Sequence, residues 1–206
     1  MPRDAARFAA AMAAIDDANA ADPNTIVVDG EVRPKELAHA ELMVEEVLRL
    51  DPSATEEQLL AARAHHLRRW TVPRSSHPEG RKGYLRWRAS LKEQHAAEVG
   101  EILGRAGYDA QAVARVQQII RKEGLGTDPA VQTHEDALCL VFLRTQLAGV
   151  AEQLGEDKGL DVLVKTMKKM SDRGLDAAAA LDLDEPVRDL VRRASLAARE
   201  ATKGED

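Results

Sequence analysis

The sequence predicts an all-α fold, a single compact bundle of about seven to eight helices over residues 1–206. Three observations carry that prediction. Apolar residues recur at helical spacing along most of the chain, and alternation with a period of two is scarce. Breakers fall at short intervals, at Asp22-Pro23-Asn24, Asp51-Pro52, Gly107, Gly124 and Asp128-Pro129, so the linkers are short. A chain of 206 residues, 44% hydrophobic, can bury a core without disulfides, and aromatics at 3% leave that core to Ala, Leu, Val and Ile.

The elements follow in order. Phe8, Met12 and Ile15 share one stripe of a first helix over 3–20. Residues 25–28 read as an extended loop with anchoring apolar side chains, because no partner strand is evident. Pro34 opens a second helix to about Leu50, with Leu37, Val44 and Leu48 as its core line. Thr55 and Gln58 make a capping box for a third helix reaching Trp70. A loop over 71–83 leads to a fourth helix over about 84–105, and a fifth spans about 109–123. Asp128 caps a sixth helix with Pro129 at its first position, running to about Leu154. Its centre DALCLVFL is apolar on nearly every face, as in the middle of a bundle. A seventh helix covers about 157–171, residues 177–182 form a small-residue connection, and a last helix, which could pack as an appendage (185–206), covers about 185–201.

Composition excludes several classes. The one cysteine, Cys139, allows no intramolecular disulfide and no all-cysteine zinc site, and it reads as a packing residue. A reducing, cytoplasmic location is expected, since the N-terminus lacks the apolar core of a signal peptide. No run approaches the roughly 18 apolar residues of a membrane span. The net charge of −6 opposes a general binder of nucleic acid or anionic membranes.

Six histidines and one aspartate offer chemistry. His66 shares a stripe with Leu59, Arg63 and Trp70, and His95 one with Leu91, Val99 and Ile102, so both rings point inward. His65 is turned by about 100° from His66, and His39 lies at the edge of its helix. Asp136 sits at the start of the most apolar helix, where a carboxylate needs a cation, a metal or several donors. Its neighbour Glu135 points away. His77 and His134 read as loop and first-turn residues without a role in a site. Imidazoles and a carboxylate converging inside a bundle suit a divalent transition ion such as Mn, Fe, Ni or Zn.

The charge is also unevenly placed. Between Ala61 and His95 stand Arg63, Arg68, Arg69, Arg74, Arg81, Lys82, Arg86, Arg88 and Lys92, opposed only by Glu79 and Glu93. That segment carries +7, so the remainder of the −6 chain carries −13. Arg69, Arg74, Arg81, Arg88 and Lys92 are the candidates for holding a phosphate or carboxylate group.

The order of these groups resembles the HD superfamily of metal-dependent phosphohydrolases. His39 stands for its first histidine, AARAHHLRRW for its paired motif, His95 for a following histidine, and Asp136 in HEDALCLVF for its terminal aspartate. His66 stands where the superfamily has the aspartate of its pair. The runs RRWTVPR, GRKGYLRWR, LKEQHA, EDALCLVFL and KTMKKMS resemble the family of domain of unknown function 4202 over nearly the whole chain.

Two functional expectations follow. The first is an HD-like metal-dependent phosphohydrolase for a small, nucleotide-like phosphorylated substrate. His66, His95 and Asp136 would bind metal with His39 and His65 as further ligands, and Glu135 and Asp136 would carry the chemistry. The second is a non-catalytic module that grips an anionic metabolite, or less readily single-stranded nucleic acid, through residues 61–95.

Overall fold

A computed structural model describes residues 4–28 and 30–203. The first residue of the predicted first helix, and both ends of the predicted 1–206 domain, lie outside them. Among the described residues there are ten α-helices and one small sheet. The helices are α1 (Ala5–Ala20), α2 (Lys35–Leu50), α3 (Glu56–Ala64), α4 (Gly80–Arg105), α5 (Ala110–Arg121), α6 (Pro129–Thr145), α7 (Leu147–Leu154), α8 (Glu156–Met167), α9 (Asp172–Ala179) and α10 (Glu185–Lys203). The all-α expectation holds, with more helices than expected. No helix among the described residues is long and apolar enough to cross a membrane.

The differences from expectation each have a physical cause. β1 (Thr25–Val28) does have a partner, β2 (Glu31–Pro34). They pair antiparallel in the register Val27↔Val32, and Gly30 turns between them at φ 81°. α3 begins with the predicted Thr55–Gln58 capping box but stops at Ala64, because Arg68 takes a left-handed conformation (φ 49°) and donates its N–H to Asn19 Oδ1 of α1. α4 starts one turn earlier than predicted. Gly83 permits this, since a Cβ there would lie 1.8 Å from the Pro78 carbonyl oxygen. The predicted long sixth helix divides at Gln146 into α6 and α7, after Thr145 Oγ turns back onto the Val141 carbonyl at 2.7 Å. The first half of the stretch 177–182 is helical, as the end of α9: Ser171 caps that helix, and alanine favours it.

Two apolar clusters share α6. One joins α1, α3, α4 and α5 through Ile15, Leu60, Val99, Leu103 and Ile119, and receives Val131 from the first turn of α6. The other joins α2, α8, α9 and α10 to Leu140 and Leu143 of the same helix. α10 contributes Leu190, Val191, Ala194 and Ala198 to that second cluster and packs on α8 and α9. Cys139 is buried with its sulfur toward the Thr166 carbonyl, and burial pushes its thiol up to about 12, as a packing residue requires.

Candidate functional site

α2 begins without a side-chain cap of its own, since Pro34 precedes it. Asp22, from the loop after α1, takes that place: its Oδ2 accepts the Glu36 N–H at 3.0 Å, and its Oδ1 holds Asn24. The Lys35 N–H donates to the Asn24 carbonyl at 2.9 Å. This remote cap fixes the first turn of α2, so the Glu36 carboxylate, 4% exposed, points inward. His39 follows one turn later on the same face.

The turn ending α3 delivers the next groups. His65 Nδ1 faces the Ala62 carbonyl at 3.0 Å, and His66 leaves in the direction of α2, with Nδ1 3.1 Å from Glu36 Oε2. The carbonyl of Leu67 meets His95 Nδ1 of α4 at 2.8 Å. His66 lies at the middle of a chain of rings. Its centroid is 4.1 Å from His65, 6.0 Å from His95 and 6.5 Å from His39, and His134 stands 6.3 Å beyond His65.

The partners of the rings set their tautomers. The carbonyls facing Nδ1 of His65 and His95 require N–H there, so each ring presents a bare Nε2, and neither Nε2 has a hydrogen-bond partner. His134 is also buried, with Nδ1 unpaired. Arg69 donates to His66 Nε2 at 3.2 Å, which leaves the His66 proton on Nδ1, toward Glu36. Burial holds His66 at about 3 against the opposing pull of the Glu36 carboxylate, and holds His95 at about 4. Burial, then the nearby Lys122, holds His134 at about 3. Burial pushes the Glu36 carboxyl up, but His66 and His39 more than reverse this and keep it ionised.

Glu36, His39 and His66 each offer one ligand atom, and the three atoms lie within 4.8 Å of one another. The two distances from the carboxylate are 3.4 and 3.1 Å, close to the roughly 3.4 Å edge of a tetrahedron with bonds of about 2.1 Å. Thr145 Oγ, which donates to Val141, accepts from His39 Nε2 at 3.4 Å and so turns a lone pair of Nδ1 toward Glu36. Two imidazole nitrogens and one carboxylate oxygen suit a divalent transition ion and leave positions open for water and a ligand. The donor set therefore fits a metal, provided that the ion displaces the His66 proton.

Cations surround the other side of the rings. A cavity of about 50 Å³ is walled by His65, His66, His95, His134, Arg69, Arg88, Lys92 and Lys122 over an apolar floor. Arg69 also stacks on Trp87, 4.9 Å from the ring centre, and Trp87 is anchored to the Val72 carbonyl. Lys122 reaches the site from a left-handed backbone (φ 62°) at the end of α5, and its ammonium pairs with Glu135. Burial raises the Glu135 carboxyl, Lys122 reverses this, and Lys169 stands 3.8 Å from its other oxygen.

The structure thus brings together His39, His65, His66 and His95, as expected, with Arg69, Arg88 and Lys92 beside them. It does not bring Asp136 there. That carboxylate is fully buried but accepts from Ser171 N–H (2.9 Å), Ser171 Oγ (2.5 Å) and Gln132 Nε2 (2.9 Å), so it holds the start of α9 in place of a metal. Glu135 is occupied by the two lysines and is not free to orient a water. Arg74 is spent on the carbonyls of His77 and Pro78, and Arg81 is exposed and lines neither cavity at the cluster. Sequence reasoning missed Glu36, Lys122 and the burial of His134. For Glu36 a signal existed in Glu36-Leu37-Ala38-His39, the Glu-x-x-His spacing that puts both donors on one face. Lys122 reaches the cluster only through its left-handed backbone, which no spacing shows.

The family model described as Domain of unknown function (DUF4202) matches residues 9–191. The chain belongs to this family. All the groups of the cluster, from Glu36 to Lys169, fall within the matched residues. No curated protein and no solved structure matches the chain.

Proposed function

We propose that this protein is a metal-dependent phosphohydrolase acting on a small phosphorylated molecule. The observation that carries the reading is the convergence of Glu36, His39 and His66 on one point, with Arg69, Arg88 and Lys92 lining the cavity that His66 also walls. A divalent ion held there would supply Lewis acidity, lowering the pKa of a water and polarising a phosphoryl oxygen. The guanidinium and ammonium groups would orient the phosphoryl group and offset its charge. With Glu135 and Asp136 spent, the base falls to an imidazole: Nε2 of His95 is bare, and the Leu67 carbonyl fixes that tautomer.

The same observation leaves the non-catalytic module as the second reading, favoured by the lack of a free carboxylate beside the rings. Metal analysis of protein purified without chelator, with a panel of phosphate esters, separates the two. The phosphohydrolase reading expects about one equivalent of metal and metal-dependent phosphate release, with both lost in Glu36→Gln. Metal-free protein that binds phosphate esters unchanged supports the module.

A further inference from the structure

The small cavity opens beside a much larger one. An open basin of about 680 Å³ shares Arg88, Lys92 and Lys122 with it, and adds Leu85, Leu125, Arg121 and Lys169. The basin has the size of a small-molecule site, whereas the inner cavity has room for one tetrahedral oxyanion or a few waters. Leu91, Ile120 and Leu138 close the inner cavity with apolar surface, and none of its lining residues is acidic. His65, His95 and His134 in its wall are each more than nine-tenths buried, and each leaves a ring nitrogen unpaired.

We infer that the inner cavity seats a terminal phosphoryl group and that the basin holds the body to which it is attached, so the substrate class is a phosphate monoester. The inference rests on the phosphohydrolase reading of the same site. Two features select a monoester over a diester. A phosphorus with two organic arms would have to fit the second one inside a cavity of about 50 Å³. The bare Nε2 atoms of His65 and His95 are acceptors, and a monoester monoanion, whose second pKa is about 6, carries a P–OH that a diester has lost. Arg69, Arg88, Lys92 and Lys122 supply the charge for the remaining oxygens. Glu93, Glu123 and Glu135 of the basin stand against this charge, Glu93 pairing with Arg121 and Glu135 with Lys122 and Lys169.

The test uses the metal-free full chain and three probes: inorganic phosphate, methyl phosphate and dimethyl phosphate, titrated calorimetrically. Phosphate and methyl phosphate should bind at least tenfold more tightly than dimethyl phosphate. Lys92→Met and Arg88→Met should each weaken methyl phosphate tenfold or more, and Glu135→Gln or Lys169→Met should change it several-fold in opposite directions, tighter and weaker. Melting curves show that each variant is folded. Equal binding of methyl and dimethyl phosphate, no binding of either, or indifference to both Lys92→Met and Arg88→Met would overturn the inference. Glu36→Gln separates this outcome from the metal reading: if it removes metal and leaves methyl phosphate affinity unchanged, both stand. Phosphate binding by a protein that takes up no metal ends the metal reading alone, and metal without phosphate binding ends this one alone.

Discussion

Glu36, in the first turn of α2, and Asp136, midway along α6, are both buried carboxylates, yet the bundle uses them in opposite ways. Asp136 on α6 is saturated by three neutral donors from Gln132 and Ser171. Glu36 on α2 faces two imidazoles and no other side-chain donor at hydrogen-bonding distance. The comparison teaches that a buried carboxylate marks a site only when its partners can give up protons or accept a metal. One enclosed by amide, hydroxyl and backbone donors is a structural joint.

That contrast can be broken by measurement. The largest effect on stability is expected from Asp136→Ala, which leaves the Ser171 N–H, Ser171 hydroxyl and Gln132 amide without their acceptor. A loss of about 3–5 kcal/mol in urea unfolding is expected, with metal uptake of the folded fraction intact. Loss of metal without loss of stability would reverse the roles given to the two carboxylates.

Acid should act next, through the rings. His134 and His95 are held at about 3 and about 4 in the fold, below the roughly 6.5 of an unfolded chain. Their stabilising effect is complete above pH 6.5 and is lost as pH falls through that value toward 4, because the unfolded chain takes up protons that the fold refuses. At pH 5 this amounts to up to about 2 kcal/mol per ring. Urea midpoints at pH 7.5 and pH 5 check it, and a His95→Asn protein should show a shallower fall.

A smaller change is expected for Gly174→Ala, whose Cβ would lie 2.6 Å from the Asp136 carboxyl carbon. It should cost about 1–3 kcal/mol, and less in the Asp136→Ala background, where the obstruction is gone. Strict additivity in that double-mutant cycle would show that the contact is not what costs the energy. The smallest stability change, below about 1 kcal/mol, is expected from Glu36→Gln, because the amide oxygen still accepts from His66 Nδ1 and the amide N–H can donate to the lone pair of His39 Nδ1.

Much of the fold was legible because helical periodicity and caps are local. Thr55–Gln58 and Asp128–Pro129 were readable as caps, and both are present. Two of the ends that were misread depend on distant partners: Asn19 stops the turn after α3, and Asp136 with Ser171 starts α9. The site follows the same rule. The facing of His95 was readable from its stripe, since neighbours on one helix share a face, whereas His66 lies in the turn beyond Ala64, where no stripe applies. Asp136 was misassigned because a buried carboxylate has the same sequence appearance whether it meets a metal or a serine. His134 was passed over because first-turn positions are commonly exposed, whereas here α6 starts inside the bundle, with Val131 already in the core.

Cys139 gives the bundle an internal clock. It is the chain's single thiol, buried in α6 with its sulfur toward α8, and its high pKa keeps it unreactive while the helices stay closed. Alkylation of the native protein therefore counts openings of the α6–α8 contact, one modification per molecule, with no introduced label. Repeated with metal and with phosphate, the same count reports whether filling the imidazole cluster quiets the contact between α6 and α8.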